Sequence, residues 1–285
     1  METNKEPPGI VNVVDLFPGE RTALVELLSG LTPEQWFLPT VCEGWSVHDI
    51  ALHLLGGDVN ILSGGRDGFR GPPNHPRPGN LDTWDSLVDF INARNGIWVD
   101  ALRRMSPRLL CDLLAHLGEP TAAHFASQDL LAPGPTVDWV GPGPHPSWMH
   151  IAREYTERWV HQQQIRDAVD QPGLTGREWM FPVLDMFARA LPHALPDTAA
   201  PEGSAVTLGI TGDAGGSWAA TRLSGRWRLT GDAIGDRVAE VRLPANLAWR
   251  LFTRGVTPDQ LQDDATVSGD RAMTDAVLKM ISVIA

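Results

Sequence analysis

Cysteine is scarce in this chain: Cys42 and Cys111 are the only two in 285 residues. Neither belongs to a Cys-x-x-Cys pair, so no disulfide framework is implied and both thiols are expected to stay reduced. Long apolar runs are missing as well. No stretch approaches the roughly 20 apolar residues that a helix needs to cross a bilayer, and the opening METNKEPPGI lacks the apolar centre of a secretory signal. Basic charge is also short: Lys and Arg number 23 against 35 Asp and Glu, a formal net charge of −12. Nucleic acids and anionic membrane surfaces are held by clustered Lys and Arg, so neither is expected as a partner. A Ser-His-Asp signature and an internal repeat are equally absent. With hydrophobic residues at 42% and charged residues at 20%, the expectation is a cytoplasmic globular protein with a real core.

Helical periodicity dominates the first part of the chain. Val13 to Leu31 carries apolar residues at helical spacing, and Thr32-Pro33-Glu34-Gln35 is a helix-entry signature. Ser46 with Asp49 three residues later forms a capping-box pattern ahead of a second long helix, whose apolar positions include Val47, Ile50, Leu54 and Ile61. His53, three residues after Ile50, is expected on the inward face. Residues 64–80 are rich in Gly and Pro and read as a loop. Asp82 can cap the next helix, in which Trp84, Leu87, Phe90, Ile91 and Trp98 recur, and a further helical stretch is expected between Pro107 and Leu117. Residues 132–147 form a second long irregular segment. Trp148 to Val169 reads as a long helix stopped by Gln171-Pro172-Gly173.

The pattern changes near residue 198. A helix around Glu178 to Leu191 leads into short alternating runs at 205–210, 216–230 and 238–243, which are strand and hairpin signals. Helical runs follow at Ala245 to Arg254 and Met273 to Ala285. The expected organisation is α+β: a helical bundle over 12–170, a connecting helix over 171–197, and a small α+β domain over 198–285.

The chemistry-bearing pattern is Glu157-Arg-Trp-Val-His161, a carboxylate and an imidazole at i and i+4 on one helix face. A third donor would come from another helix, and His53 is the natural candidate. Two imidazoles and a carboxylate suit Zn²⁺, and three protein ligands leave a position for water or substrate. Spacing alone does not decide: such pairs recur as solvated surface contacts, and His150 with Glu154 offers a second i, i+4 register on the same helix.

Two segments carry a family resemblance. Trp36-Phe-Leu-Pro-Thr-Val-Cys-Glu-Gly-Trp45-Ser-Val-His-Asp49-Ile-Ala-Leu-His53-Leu and Glu157-Arg-Trp-Val-His161, followed by Ile165-Arg-Asp167, resemble the mycothiol-dependent maleylpyruvate isomerase family of the DinB-like metalloenzymes. The resemblance implies a DinB-like four-helix bundle joined to a smaller sterol-carrier-like domain. It also implies His53, Glu157 and His161 as ligands of a divalent metal, zinc foremost, and mycothiol or a related low-molecular-weight thiol as cofactor or co-substrate. The implied reaction is cis-trans isomerisation of a maleylpyruvate-type substrate or thiol S-transfer to an electrophile. By the same resemblance a C-terminal arginine engages the substrate carboxylate, and Arg254 matches that position best, with Arg250 and Arg271 as rivals and Thr253 where the family carries Gly. Two other readings stay open: a helical variant of the two-His, one-carboxylate iron(II) site, and a non-catalytic ligand-binding or sensing protein on the same fold. Cys42 reads as a small side chain filling the turn before the second helix.

Overall fold

A computed structural model of the protein describes residues 9–71, 83–195, 200–261 and 263–282. Its class is mixed: helices in the N-terminal region and a sheet toward the C-terminus. Two compact units share one long helix, Ser147–Ala168. Among the described residues, one comprises Val14–Gln128 with Val160–Gly173, and the other holds 9–13, Asp129–Trp159 and those from Leu174 onward.

In the first unit a 3-10 turn, Val14–Leu16, leads into α1 (Phe17–Ser29), which has Pro18 in its first turn, where a missing N–H costs nothing. Thr32 and Gln35 cap one another before a 3-10 turn at Gln35–Phe37, as the entry signature requires. Helix α2 (Val47–Asn60) opens on the complete Ser46–Asp49 capping box. Burial raises the proton affinity of Asp49, but hydrogen bonds from Arg103 and Ser46 outweigh it and hold the carboxyl below its ordinary range. A π-helical turn, Ile61–Arg66, extends α2 into what the sequence suggested was loop; residues 72–80 lie outside the described residues.

Helix α3 (Trp84–Leu102) is capped by Thr83 with Ser86; the expected cap, Asp82, lies outside the described residues. Helix α4 (Pro107–Ala126) runs well beyond the expected end at Leu117, through Gly118 and Pro120. A mid-helix proline removes one N–H and normally stops the helix. Here the following turn is anchored by buried Phe125, whose ring meets Phe17 at 4.6 Å. The core joins Leu24 and Leu28 of α1, Ile50, Leu52 and Leu54 of α2, Val99 of α3, Leu110 and Leu114 of α4, Ile165 in the last turns of the shared helix, and Val169 just after it.

The second unit begins with an irregular segment closed by a two-residue ladder, β1 (Pro133–Gly134) against β2 (His145–Pro146). Helix α5 (Ser147–Ala168) follows at once, and α6 (Arg177–Ala188) and the short α7 (Leu191–Ala194) precede the sheet. The strands are β3 (Ser204–Thr211), β4 (Gly216–Leu223), β5 (Arg226–Thr230), β6 (Asp236–Pro244) and β7 (Thr266–Gly269), in the order β5-β4-β3-β6-β7. Only β3 and β6 run parallel; the other pairs are antiparallel. β3 is third of five and buried from Ser204 to Ile210, which explains its unbroken small and apolar run. The edge strand β7 is exposed throughout and has no alternating apolar signal, so the sequence did not betray it. Helix α8 (Ala245–Phe252) starts after Pro244, and α9 (Arg271–Leu278) is capped by Asp270. No described helix is long and apolar enough to cross a membrane.

Candidate metal centre

Helix α2 presents His53 about one turn after Asp49, which closes its capping box, and α5 presents Glu157 and His161 about one turn apart. One donor atom from each of the three lies within 4.8 Å of the other two. The His53 and His161 rings meet edge to face, with centroids 4.7 Å apart. The Trp45 ring also packs against His53, tilted, with centroids 5.3 Å apart. Trp45 is held by the turn before α2: Thr40 N–H donates to the Trp45 carbonyl at 3.0 Å, and Trp45 N–H to the Cys42 carbonyl at 3.0 Å. That turn needs Gly44, whose φ of 76° is costly for a residue with a Cβ. His161 is buried, while His53 and Glu157 are half-buried, so the cluster keeps a route to solvent.

The donor set fits a divalent metal on chemical grounds. Two imidazoles and a carboxylate on rigid helices are the composition of an open zinc site. Zinc holds its ligands at about 2.0–2.2 Å, so the three donor atoms would draw somewhat closer to share one ion. His161 Nδ1 faces Gln164 Oε1 at 2.7 Å, and Cys42 Sγ donates to the same oxygen at 3.3 Å. Gln164 was not singled out in the sequence, although i+3 spacing from His161 puts it on the same face.

The rival register is engaged otherwise. Glu154 is buried, and its two oxygens accept from Arg153 and from Arg158, the latter at 2.7 Å. Burial pushes its pKa up, but Arg153, Arg158 and His150 outweigh that and hold the carboxyl below its ordinary value. Glu154 is therefore a structural anion. Among the described residues, His53, Glu157 and His161 form the single group of three donors able to hold a metal.

Arg254 is exposed, follows the end of α8 and has a left-handed φ of 62°. Helix α8 meets α5 through Trp249, whose ring sits edge-on to Trp159 at 5.6 Å. At 3.6 residues per turn, Trp159 lies about 200° around α5 from Glu157, so this contact is on the side turned away from the donors. Arg250 instead covers Trp249 at 4.4 Å, and Arg271 is exposed near Asp275. Asp167 is exposed, and Cys42 is half-buried and hydrogen-bonded rather than a plain filler.

The model of the mycothiol maleylpyruvate isomerase N-terminal domain family matches residues 17–166. The chain belongs to that family. The matched span includes His53, Glu157, His161 and Gln164. Among solved structures, the chain is similar to a crystal structure of a mycothiol-dependent maleylpyruvate isomerase, with a TM-score of 0.50, 13% identity, and coverage of 90% of this chain and 91% of that one. A histidine-to-alanine mutant of such an isomerase gives a TM-score of 0.51 at 12% identity over the same shares. At this identity the likeness shows a common fold. Comparison with curated proteins finds no match.

Proposed function

We propose that this protein is a divalent-metal enzyme that uses mycothiol or a related low-molecular-weight thiol on a small electrophile, either as a cis-trans isomerase of maleylpyruvate type or as a thiol S-transferase. The observation that carries this reading is the convergence of His53, Glu157 and His161 donor atoms within 4.8 Å, in a chain of the mycothiol maleylpyruvate isomerase family. A bound zinc ion would supply a Lewis-acid position at which a thiol is held as its nucleophilic thiolate near neutral pH.

The chain's own residues would do the rest. His53, Glu157 and His161 would hold the ion and leave a coordination position for the thiol, and the Trp45 ring packs against His53 at 5.3 Å. Glu157 offsets one of the two positive charges while keeping the centre cationic enough to favour a thiolate. No protein nucleophile is required, in keeping with the half-buried, hydrogen-bonded state of Cys42. The thiol's sulfur would add to an activated alkene carbon; leaving again after rotation gives an isomer and regenerates the thiol, whereas staying attached, with a proton delivered to the neighbouring carbon, gives a thioether.

The test is turnover by purified zinc-loaded protein against maleylpyruvate and a panel of electrophiles, with and without mycothiol. Thiol-dependent turnover lost in His53→Ala and His161→Ala supports the reading. Thiol-independent turnover, or equal turnover in both variants, overturns it.

A further inference from the structure

A histidine that ligates a metal through one ring nitrogen must carry its proton on the other, and that N–H needs an acceptor. For His161 the chain provides one: Gln164 Oε1 lies 2.7 Å from Nδ1. Gln164 is only 2% exposed and His161 only 3%, so water does not compete for this contact. A glutamine amide can face a neighbour with either end, and the two ends have opposite consequences. With the oxygen toward Nδ1, the ring is protonated there and Nε2 keeps its lone pair for a metal. With the NH₂ toward Nδ1, the proton moves to Nε2 and the lone pair for the metal is lost. Cys42 acts on that choice: its thiol donates to the same Oε1 at 3.3 Å from the turn that also holds Trp45. Two donors converging on one oxygen favour the oxygen-inward orientation.

We propose that Gln164, with its amide oriented by the Cys42 thiol, is a positioning residue that holds His161 in the Nδ1–H tautomer and presents Nε2 to the metal. The inference rests on the metal reading above for its consequence, and on the Cys42–Gln164–His161 geometry for its cause. It makes the turn before α2 part of the metal site through the Cys42–Gln164 hydrogen bond.

The experiment compares the full chain with Gln164→Leu, Gln164→Glu and Cys42→Ala. Zinc affinity is measured by competition with a chromogenic chelator, and the His161 tautomer by nitrogen NMR of the metal-free protein at alkaline pH. Gln164→Leu removes the acceptor and should weaken zinc binding by about 10- to 100-fold while mixing the tautomers. Gln164→Glu keeps an acceptor oxygen and should bind zinc at least as tightly as the unmodified chain. Cys42→Ala, at a half-buried position, should give a smaller change of the same sign. Unchanged zinc affinity and tautomer in Gln164→Leu would overturn the assignment, as would an equal loss in Gln164→Glu, which would mark a packing role. Absence of zinc binding by the unmodified chain would overturn the metal reading itself, and the tautomer comparison would then still decide whether Gln164 sets the His161 proton.

Discussion

Replacing Asp58 should destabilise the helical unit by a large and calculable amount. Asp58, near the end of the helix that carries His53, has a fully buried side chain; that of Arg21 in α1 is 9% exposed. The guanidinium grips the carboxylate with two bonds, 2.6 Å and 2.9 Å, and Arg21 also donates to the Leu114 carbonyl of α4 at 2.8 Å. Removing one partner of a buried pair leaves the other as an uncompensated charge, at a cost of about 3–5 kcal/mol. Against a typical total of roughly 5–15 kcal/mol, Asp58→Ala should unfold at a much lower urea concentration, followed by far-ultraviolet circular dichroism. Asp58→Asn retains the shape and one acceptor and should fall between. The double variant Arg21→Met/Asp58→Leu deletes both charges and should recover most of the loss, because the desolvation cost disappears with the attraction. A cost below about 1 kcal/mol for Asp58→Ala at unchanged denaturant slope, or a double variant as unstable as the single one, would refute this reasoning.

Three further predictions concern Gly56, His145 and Arg254. An ideal Cβ on Gly56, one turn after His53, would lie 2.7 Å from Trp98 Nε1, whose indole donates to the Leu52 carbonyl at 2.8 Å; Gly56→Ala should cost about 1–3 kcal/mol despite better helix propensity, and a stabilised variant in urea melts would contradict it. Burial holds the His145 pKa below its ordinary 6.5, and its Nδ1 accepts from Val137 N–H at 3.1 Å, a bond that needs the neutral ring. The folded pKa is depressed, so this contribution is complete above about 6.5 and is lost as pH falls through the folded value; His145→Gln should flatten that part of the stability–pH profile, and an unchanged profile would exclude the effect. For a carboxylate-bearing electrophile, Arg254→Ala should raise KM at unchanged zinc content; an unchanged KM would remove Arg254 from the site.

The parts of the molecule legible in the sequence are those set by local chemistry. Ser46 and Asp49 announce α2 because a capping box is a contact between near neighbours, and Glu157 with His161 share a face because helical spacing alone requires it. What the sequence leaves open depends on distant partners. The choice between Glu157 and Glu154 turns on the rotamers that Arg153 and Arg158 adopt, which engage Glu154. The continuation of α4 beyond Pro120 rests on burial of Phe125 against Phe17, and tertiary packing there overrides the local penalty. Gln164 carries no motif of its own; its meaning appears only when Cys42, 122 positions earlier in the chain, donates to the same oxygen. The edge strand β7 escapes because an exposed four-residue strand buries no alternating face.

The account stands most directly on zinc stoichiometry, measured by elemental analysis after metal-free protein is equilibrated with zinc and freed of excess. The prediction is one zinc per chain in the unmodified protein, and loss of that zinc in His53→Ala, Glu157→Gln and His161→Ala variants that keep their circular dichroism spectra. Retention of one zinc in all three folded variants would contradict the assignment of His53, Glu157 and His161 as the metal ligands.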